Sequence, residues 1–298
     1  MPINKISFII LNYNGKNILK ESIPSIITAA DNSPVYCDIH VIDNCSNDDS
    51  IAFLKENCPS LIIYKATKNN FLFSYNEYLP KIDSDLVFLF NNDVKVESDF
   101  ISYLLPYFED NKTFMVTPQL RSWDGSHYTG GLNYLNMKYG IIEFSHSDKK
   151  TGKDYKQPQK TFYSFNALFD RKKVLALNGL DELYSPYTWE DVDLCYRASL
   201  KGWNNYYEPQ SVVYHYEEYT INRCKPQKGK TNRRIITRRN RLLFFWKNIR
   251  DPYLWINHLV FMPLRLVWSL FFDRAMIVAF WLAVLRNKRC RRQNYFCD

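Results

Sequence analysis

The sequence predicts an α/β fold: a mostly parallel sheet flanked by helices, with amphipathic helices at its C-terminal end. Three observations carry this. Short, uniformly apolar runs recur early in the chain and read as strands buried on both faces. Stretches with helical apolar spacing separate them. Acidic and amide residues collect directly after the runs, at the strand ends where open parallel sheets bind their ligands.

The elements follow in order. "KISFIIL" (Lys5–Leu11) is the first strand, broken by "NYNG". Ile18, Leu19, Ile23, Ile26 and Ile27 then recur at helical spacing, to about Ala30. "CDIHVID" is a second strand, ending at Asp43 and Asn44. Asp48–Asn57 reads as a helix, "SLIIYKA" as a third strand and "DLVFLF" (Asp85–Phe90) as a fourth. Later, "YYEPQSVVYHY" reads as a strand closed by His215. The polar stretch Ser145–Gln159 reads as a mobile loop.

Seven scattered cysteines without a CxxC pair argue against a disulfide framework or a zinc cluster. They are expected to be reduced thiols in a cytosolic chain, and the N-terminal residues do not read as a signal peptide. Net charge is +8, unevenly spread: from Arg223 onward there are 18 Lys/Arg against 3 Asp/Glu, leaving the preceding residues acidic on balance. Such asymmetry points to a polyanionic partner, either a membrane surface or a nucleic acid.

The chemistry concentrates at the strand ends. Asn12 and Asn14, Asp43 and Asn44, and then Asn91, Asn92 and Asp93 each follow a strand, which predicts one polar crevice. A hard cation such as Mg²⁺ or Mn²⁺ is held by one or two carboxylates plus substrate phosphates, and a single Asp93 suits that sparse mode. His215, at a strand end, is placed to complete a metal sphere. There is no GxGxxG and no GxxxxGK[ST], so a bound nucleotide would need a metal to neutralise its phosphates.

"YTWEDVDLCYRASLKGW" (Tyr187–Trp203) reads as a helix with three carboxylates crowded into its first turn. A capping box, Thr188 with Asp191 three residues on, accounts for one or two of them. It leaves Trp189 and Asp193 unexplained. A carboxylate at a helix start beside an aromatic platform suits a general base acting on a sugar hydroxyl. Asp193 and Arg197 are spaced i,i+4 for a supporting salt bridge.

Taken in order, "ISFIILNYNG", "VIDNCSNDDS", "FLFNNDV", "LFDRKKVLALNGLDE" and "WEDVDLCYRASLKGW…VVYHY" resemble glycosyltransferase family 2, over about residues 5–220. The likeness is to the bacterial branch that builds O-antigen, capsule and other surface glycans, including rhamnosyltransferase-like members. It implies a GT-A (Rossmann-like) fold and inverting transfer from a nucleotide-diphosphate sugar to a glycan or lipid-linked acceptor, with Mn²⁺ or Mg²⁺ as cofactor. It implies a catalytic domain over 1–222, its nucleotide-sugar half about 1–120 and its acceptor half about 121–222. By position, Asn12 and Tyr13 would touch the base, Asp43 the base or ribose, and Asn91, Asn92 and Asp93 the diphosphate and metal. Asp191 would be the catalytic base, Glu190 and Trp189 would shape the acceptor site, and His215 would complete the metal sphere. Two departures stand out. Asn91-Asn92-Asp93 replaces the family's Asp-x-Asp, and Phe71 and Phe73 stand where relatives often carry glycines.

Two rival functions compete with this one. A nucleotidyltransferase would carry a Gly/Lys-rich phosphate loop near the first strand, and the sequence has none. A nucleic-acid-binding protein would suit the basic tail, but the apolar stretch after Arg250 fits lipid better, and no nucleic-acid partner is expected. That stretch is interrupted by His258, Pro263, Arg265, Asp273 and Arg274, and its longest clean run, Ala275–Leu285, is too short to span a bilayer. Residues 223–298 are therefore expected to form amphipathic helices on the anionic inner face of the cell membrane, or else to pack on the catalytic domain or a second copy of the chain in a homodimer.

Overall fold

The computed structural model describes residues 3–146, 155–216 and 229–294. The middle of the expected Ser145–Gln159 loop (147–154) and the first basic residues of the tail (223–228) lie outside the described residues.

The expected strands form as β1 (Lys5–Asn12), β2 (Tyr36–Asp43), β3 (Ile62–Lys65) and β4 (Leu86–Asn91). Between them lie α1 (Lys16–Asp31), α2 (Ser50–Asn57) and the short α3 (Ser74–Tyr78). β5 (Val94–Val96), α4 (Phe100–Leu104), β6 (Thr113–Ser122) and β7 (Tyr128–Gly130) follow. A hairpin, β8 (Asn133–Lys138) and β9 (Ile141–His146), stands apart as a two-stranded sheet. The body continues through β10 (Gln159–Lys160), β11 (Ala167–Asp170), α5 (Arg171–Ala176), α6 (Glu190–Leu200) and β12 (Asn204–His215). Three long helices end the described chain: α7 (Gly229–Asn248), α8 (Pro252–Phe272) and α9 (Arg274–Asn294).

The central sheet runs β10-β12-β6-β11-β4-β1-β2-β3. β1 pairs in parallel with β2 and β4, β2 with β3, and β6 with β12. β11 interrupts this pattern, lying antiparallel between β4 and β6, and the short β10, β5 and β7 add antiparallel pairs to β12 and β6. Apolar residues of β1 face both ways. Ile6, Phe8 and Ile10 pack with α1 and α4, and Ile9 packs with α3 and α6. Two-sided burial is why the strands read as continuous apolar runs rather than alternating ones. In-register parallel pairing sets Asn12 beside Asp43 and Leu11 beside Asn91, so the strand-end polar residues share one edge.

The tail is not a separate appendage. Leu242, Leu243, Phe244 and Phe245 of α7 are buried in a cluster with Phe73, Tyr184, Trp189 and Val192, so α7 completes the core of the α/β body. α8 rests one side on the hairpin turn: Asn257 Oδ1 accepts from Gly140 N at 3.0 Å, and the His258 ring pairs with the Gly140 carbonyl and with Trp246 Nε1 at 3.0 Å. Its other side leaves Leu259, Leu264, Val267, Trp268, Phe271 and Phe272 exposed. Among the described residues, α8 is one helix long and apolar enough to cross a membrane, by length and composition only. That corrects the expectation that no segment reaches this length, because Asp273 and Arg274 fall beyond the helix end, Arg265 is the one Asp, Glu, Lys or Arg inside it, and Pro263 does not end it.

Candidate active site

The three carboxylates of the α6 first turn have separate fates. Asp193 is fully buried and accepts from Tyr184 Oη at 2.8 Å, Arg197 Nε at 2.6 Å, Lys247 Nζ at 2.8 Å and Asn248 Nδ2 at 2.7 Å. Burial alone would raise its pKa, but Lys247 and Arg197 override that and hold it below the usual carboxylate range. Asp193 is therefore a structural tie between α6 and α7, and the expected pair with Arg197 forms within it.

Glu190 and Asp191 have no cation partner among the described residues. Both oxygens of Glu190 are buried without a hydrogen-bond partner. Burial first, then the neighbouring Asp191, push its pKa up to about 8. Asp191 is 6% exposed, and burial pushes its pKa up to about 7. A carboxylate poised near neutrality, at a helix N-terminus, has the proton affinity a general base requires.

The backbone leading into α6 differs from a capping box. Thr188 and Trp189 both lie in the left-handed region, with φ of 71° and 75°. This is a strained conformation for a β-branched and a bulky residue. Thr188 Oγ1 has no partner, and Trp189 rather than Thr188 occupies the cap position, without a side-chain cap. Asn240 of α7 holds this loop: its Nδ2 lies 2.6, 2.9 and 2.8 Å from the carbonyls of Tyr184, Tyr187 and Thr188. Arg239 donates to the Ser185 carbonyl at 2.6 Å.

Trp189 is not the open aromatic platform that the sequence suggested. It is 1% exposed, stacked on Phe144 at 4.4 Å and against Phe244 at 5.1 Å. Glu190 is likewise enclosed, so neither side chain presents a face to solvent. The same holds for Asn12. Its amide donates to Ser46 and Ser50 at 3.2 and 3.0 Å and accepts from Asn92 Nδ2 at 3.0 Å, binding β1, α2 and the β4 end together. Gly15 makes that junction possible, since a Cβ there would sit 2.3 Å from both Asn12 Oδ1 and Asn92 Nδ2.

The remaining polar residues do gather at the strand ends. Asp43 is buried at the end of β2 and accepts from Ser46 N at 3.1 Å, and Tyr13 is half-buried just past β1. An open hollow of about 480 Å³ lies at these loops, lined by Asn14, Lys16, Asn17, Asn47, Asp48 and Asp49. Neither Asp93 nor Asp191 lines it. Asp93 Oδ1 is buried without a hydrogen-bond partner and lies 3.3 Å from His215 Nε2. The antiparallel register of β5 and β12, which sets His215 beside Val94, brings these two together. Among the described residues, no group of three or more His, Cys, Asp or Glu could hold a metal, so this is a two-residue site. An orphaned carboxylate oxygen beside an imidazole fits a divalent cation whose other ligands come from a diphosphate.

Two connections link this edge to Asp191. The Asn91 backbone N–H donates to Asn166 Oδ1 at 2.9 Å, and Ser164 Oγ donates to the Asp191 backbone carbonyl at 3.2 Å. Residues 164–166 thus bridge the mouth of β4 and the first turn of α6. The exposed Phe71 ring meets Tyr187 at 6.3 Å, and Asn70 donates to Glu182 at 3.1 Å.

Sequence reasoning missed Asn240, Lys247 and Asn248. The signal was present: Asn240 shares the spacing of Leu243, Phe244, Lys247 and Asn248, one helix face that mixes amides with core residues.

Residues 7–176 match the sequence profile of Glycosyl transferase family 2. The chain belongs to that family. Over 131 residues it is 28% identical to "Probable glucomannan 4-beta-mannosyltransferase 4" of Oryza sativa subsp. japonica, covering 44% of this chain and 23% of that protein, well under two thirds of its length. Among solved structures it resembles mannosyltransferase PcManGT from Pyrobaculum calidifontis in complex with GDP-Man and Mn²⁺, with 15% identity and a TM-score of 0.57 over 94% of this chain and 74% of that one. It also resembles residues 1–349 of S. aureus TarS in complex with UDP-GlcNAc, with 12% identity and a TM-score of 0.59 over 92% and 79%. The profile match shows the family, and the solved structures share the GT-A fold.

Proposed function

We propose that this family member is an inverting glycosyltransferase that moves a sugar from a nucleotide-diphosphate sugar to a hydroxyl of a glycan or lipid-linked acceptor in cell-surface polysaccharide synthesis. The observation that carries this reading is Asp191: a buried carboxylate with a raised pKa, tied through residues 164–166 to the edge that holds Asp93 and His215. Asp191 takes the proton of the acceptor hydroxyl. That oxygen bonds to the anomeric carbon from the face opposite the phosphate, the carbon–oxygen bond to the diphosphate breaks, and the nucleoside diphosphate leaves. Asp93 and His215 would hold a divalent cation such as Mn²⁺, which when bound supplies positive charge to the leaving diphosphate. Glu190, protonated at neutral pH, keeps a second negative charge away from Asp191.

The relative with GDP-Man and Mn²⁺ supports the donor class and the metal, and the buried Asp93 oxygen supports the metal independently. The exposed apolar side of α8 supports a position on the inner face of the cell membrane, with α8 lying in the interface because its opposite side is docked on the hairpin turn.

The test is Asp191→Asn assayed for nucleoside diphosphate release from a panel of nucleotide sugars with Mn²⁺. Turnover should fall by about 10²–10⁴-fold, the usual contribution of a general base, while donor affinity stays within twofold. Wild-type turnover in that variant would remove Asp191 from the role.

A further inference from the structure

Away from the catalytic edge, a cavity of about 130 Å³ opens between α7, α8, α9 and the hairpin. Three guanidiniums line it, Arg238, Arg241 and Arg265, with Glu143, Asp273 and Met276. The acids do not balance the arginines. Asp273 is taken by Arg238, with Arg234 also at 3.4 Å, and Glu143 reaches Arg241 only at 3.5 Å. Among the described residues, Arg265 is hydrogen-bonded by backbone carbonyls, at Tyr139 and Lys138. Arg241 Nε is buried without a hydrogen-bond partner. Burial, together with the repulsion of Arg265 and Arg238 and despite Glu143, holds Arg241 below its ordinary pKa range. Fork-shaped donors crowded around a small hollow with unspent positive charge are the arrangement that recognises a phosphate.

The neighbours of these arginines specify what carries that phosphate. Arg265 lies between exposed Leu264 and exposed Val267 and Trp268, and Asp273 follows exposed Phe271 and Phe272. Val278, Trp281 and Leu285 of α9 are exposed as well. A cationic pocket set in an apolar surface is complementary to an anionic amphiphile, with the phosphate in the pocket and the hydrocarbon along the helices.

We propose that Arg238, Arg241 and Arg265 form a phosphate-binding pocket for a membrane lipid, seated where the apolar sides of α8 and α9 meet the bilayer. The chemistry is a lipid-borne phosphate or diphosphate, whether on a bulk phospholipid or on a lipid-linked acceptor. The proposal shares the membrane position of the function above and is independent of sugar transfer.

Full-length protein is co-sedimented with vesicles of phosphatidylcholine alone and with 20% phosphatidylglycerol, at about physiological and at raised salt. Wild type should bind the anionic vesicles more tightly. Arg241→Gln/Arg265→Gln should lose at least tenfold of that preference while still binding neutral vesicles, and Arg241→Lys/Arg265→Lys, which keeps the charge and loses the fork, should lose part of it. Arg274→Gln/Lys288→Gln removes two cations outside the pocket and should lose under threefold. Equal losses in the two Gln pairs would mean diffuse attraction and overturn the pocket. Inorganic diphosphate supplies the soluble arm: it should raise the melting temperature of wild type and not that of the pocket variant. If it does so while both proteins prefer anionic vesicles equally, the pocket serves a soluble phosphate and the lipid assignment falls. Because vesicle binding is read without turnover, an inactive glycosyltransferase would leave this result standing.

Discussion

Replacing Asp191 by Asn should stabilise the fold, and by an amount that depends on pH. In the unfolded chain Asp191 loses its proton near its ordinary value of 3.8, and in the folded protein burial raises that to about 7. Between those values the folded state holds a proton that the unfolded state has lost, so stability falls as pH rises through the window and levels off above it. Each pKa unit is worth about 1.4 kcal/mol, so the full shift of about three units sets an upper bound of about 4 kcal/mol. Asn does not titrate, and the variant escapes this loss. Urea denaturation of both proteins should show the variant gaining about 3 kcal/mol on wild type between pH 5 and pH 8, with nearly all of the gain below pH 7. A difference that stays constant across this range, within about 0.5 kcal/mol, would show that burial does not hold the Asp191 proton. The argument for a tuned base would then fail.

Three further outcomes follow from the same geometry. Asn240→Ala removes the amide that spans three carbonyls of the Tyr184–Thr188 loop; turnover should fall at least tenfold with donor affinity little changed, at a stability loss of about 1–3 kcal/mol measured by denaturation. Gly15→Ala drives a Cβ to 2.3 Å from Asn12 and Asn92; thermal melts should show a loss of at least about 1–3 kcal/mol, and a variant as stable as wild type would remove the close-approach argument. Asp93→Asn and His215→Ala should each weaken the stabilisation that Mn²⁺ with a nucleoside diphosphate gives wild type, by tenfold or more in the apparent metal affinity; unchanged titrations would dissolve the two-residue site.

The first four strands were legible because double burial writes itself as unbroken apolar runs, and their shared polar edge because Asn12, Asp43 and Asn91–Asp93 end successive strands. β11 was not legible: Ala167–Asp170 is four residues long, and its antiparallel insertion between β4 and β6 depends on partners far away in sequence. The fate of individual site residues was hidden for a related reason. Whether Trp189 opens to a ligand or fills the core depends on Phe144 and Phe244, which come from a hairpin and a helix about 45 and 55 residues away. The division of labour among Glu190, Asp191 and Asp193 is set by which of them α7 reaches, and Lys247 and Asn248 reach only Asp193. Charge asymmetry marked the tail but could not separate α7, which is core, from α8, whose outer side is bare.

The account stands on one spatial claim, that the base at Asp191 and the Asp93–His215 pair serve a single crevice. Anomalous diffraction from a crystal grown with Mn²⁺ and a nucleotide sugar measures this directly. The account predicts the manganese peak at Asp93 and His215, with the sugar lying between it and the Asp191 carboxylate. A peak elsewhere, or a sugar with Asp191 walled off from it, would contradict the account.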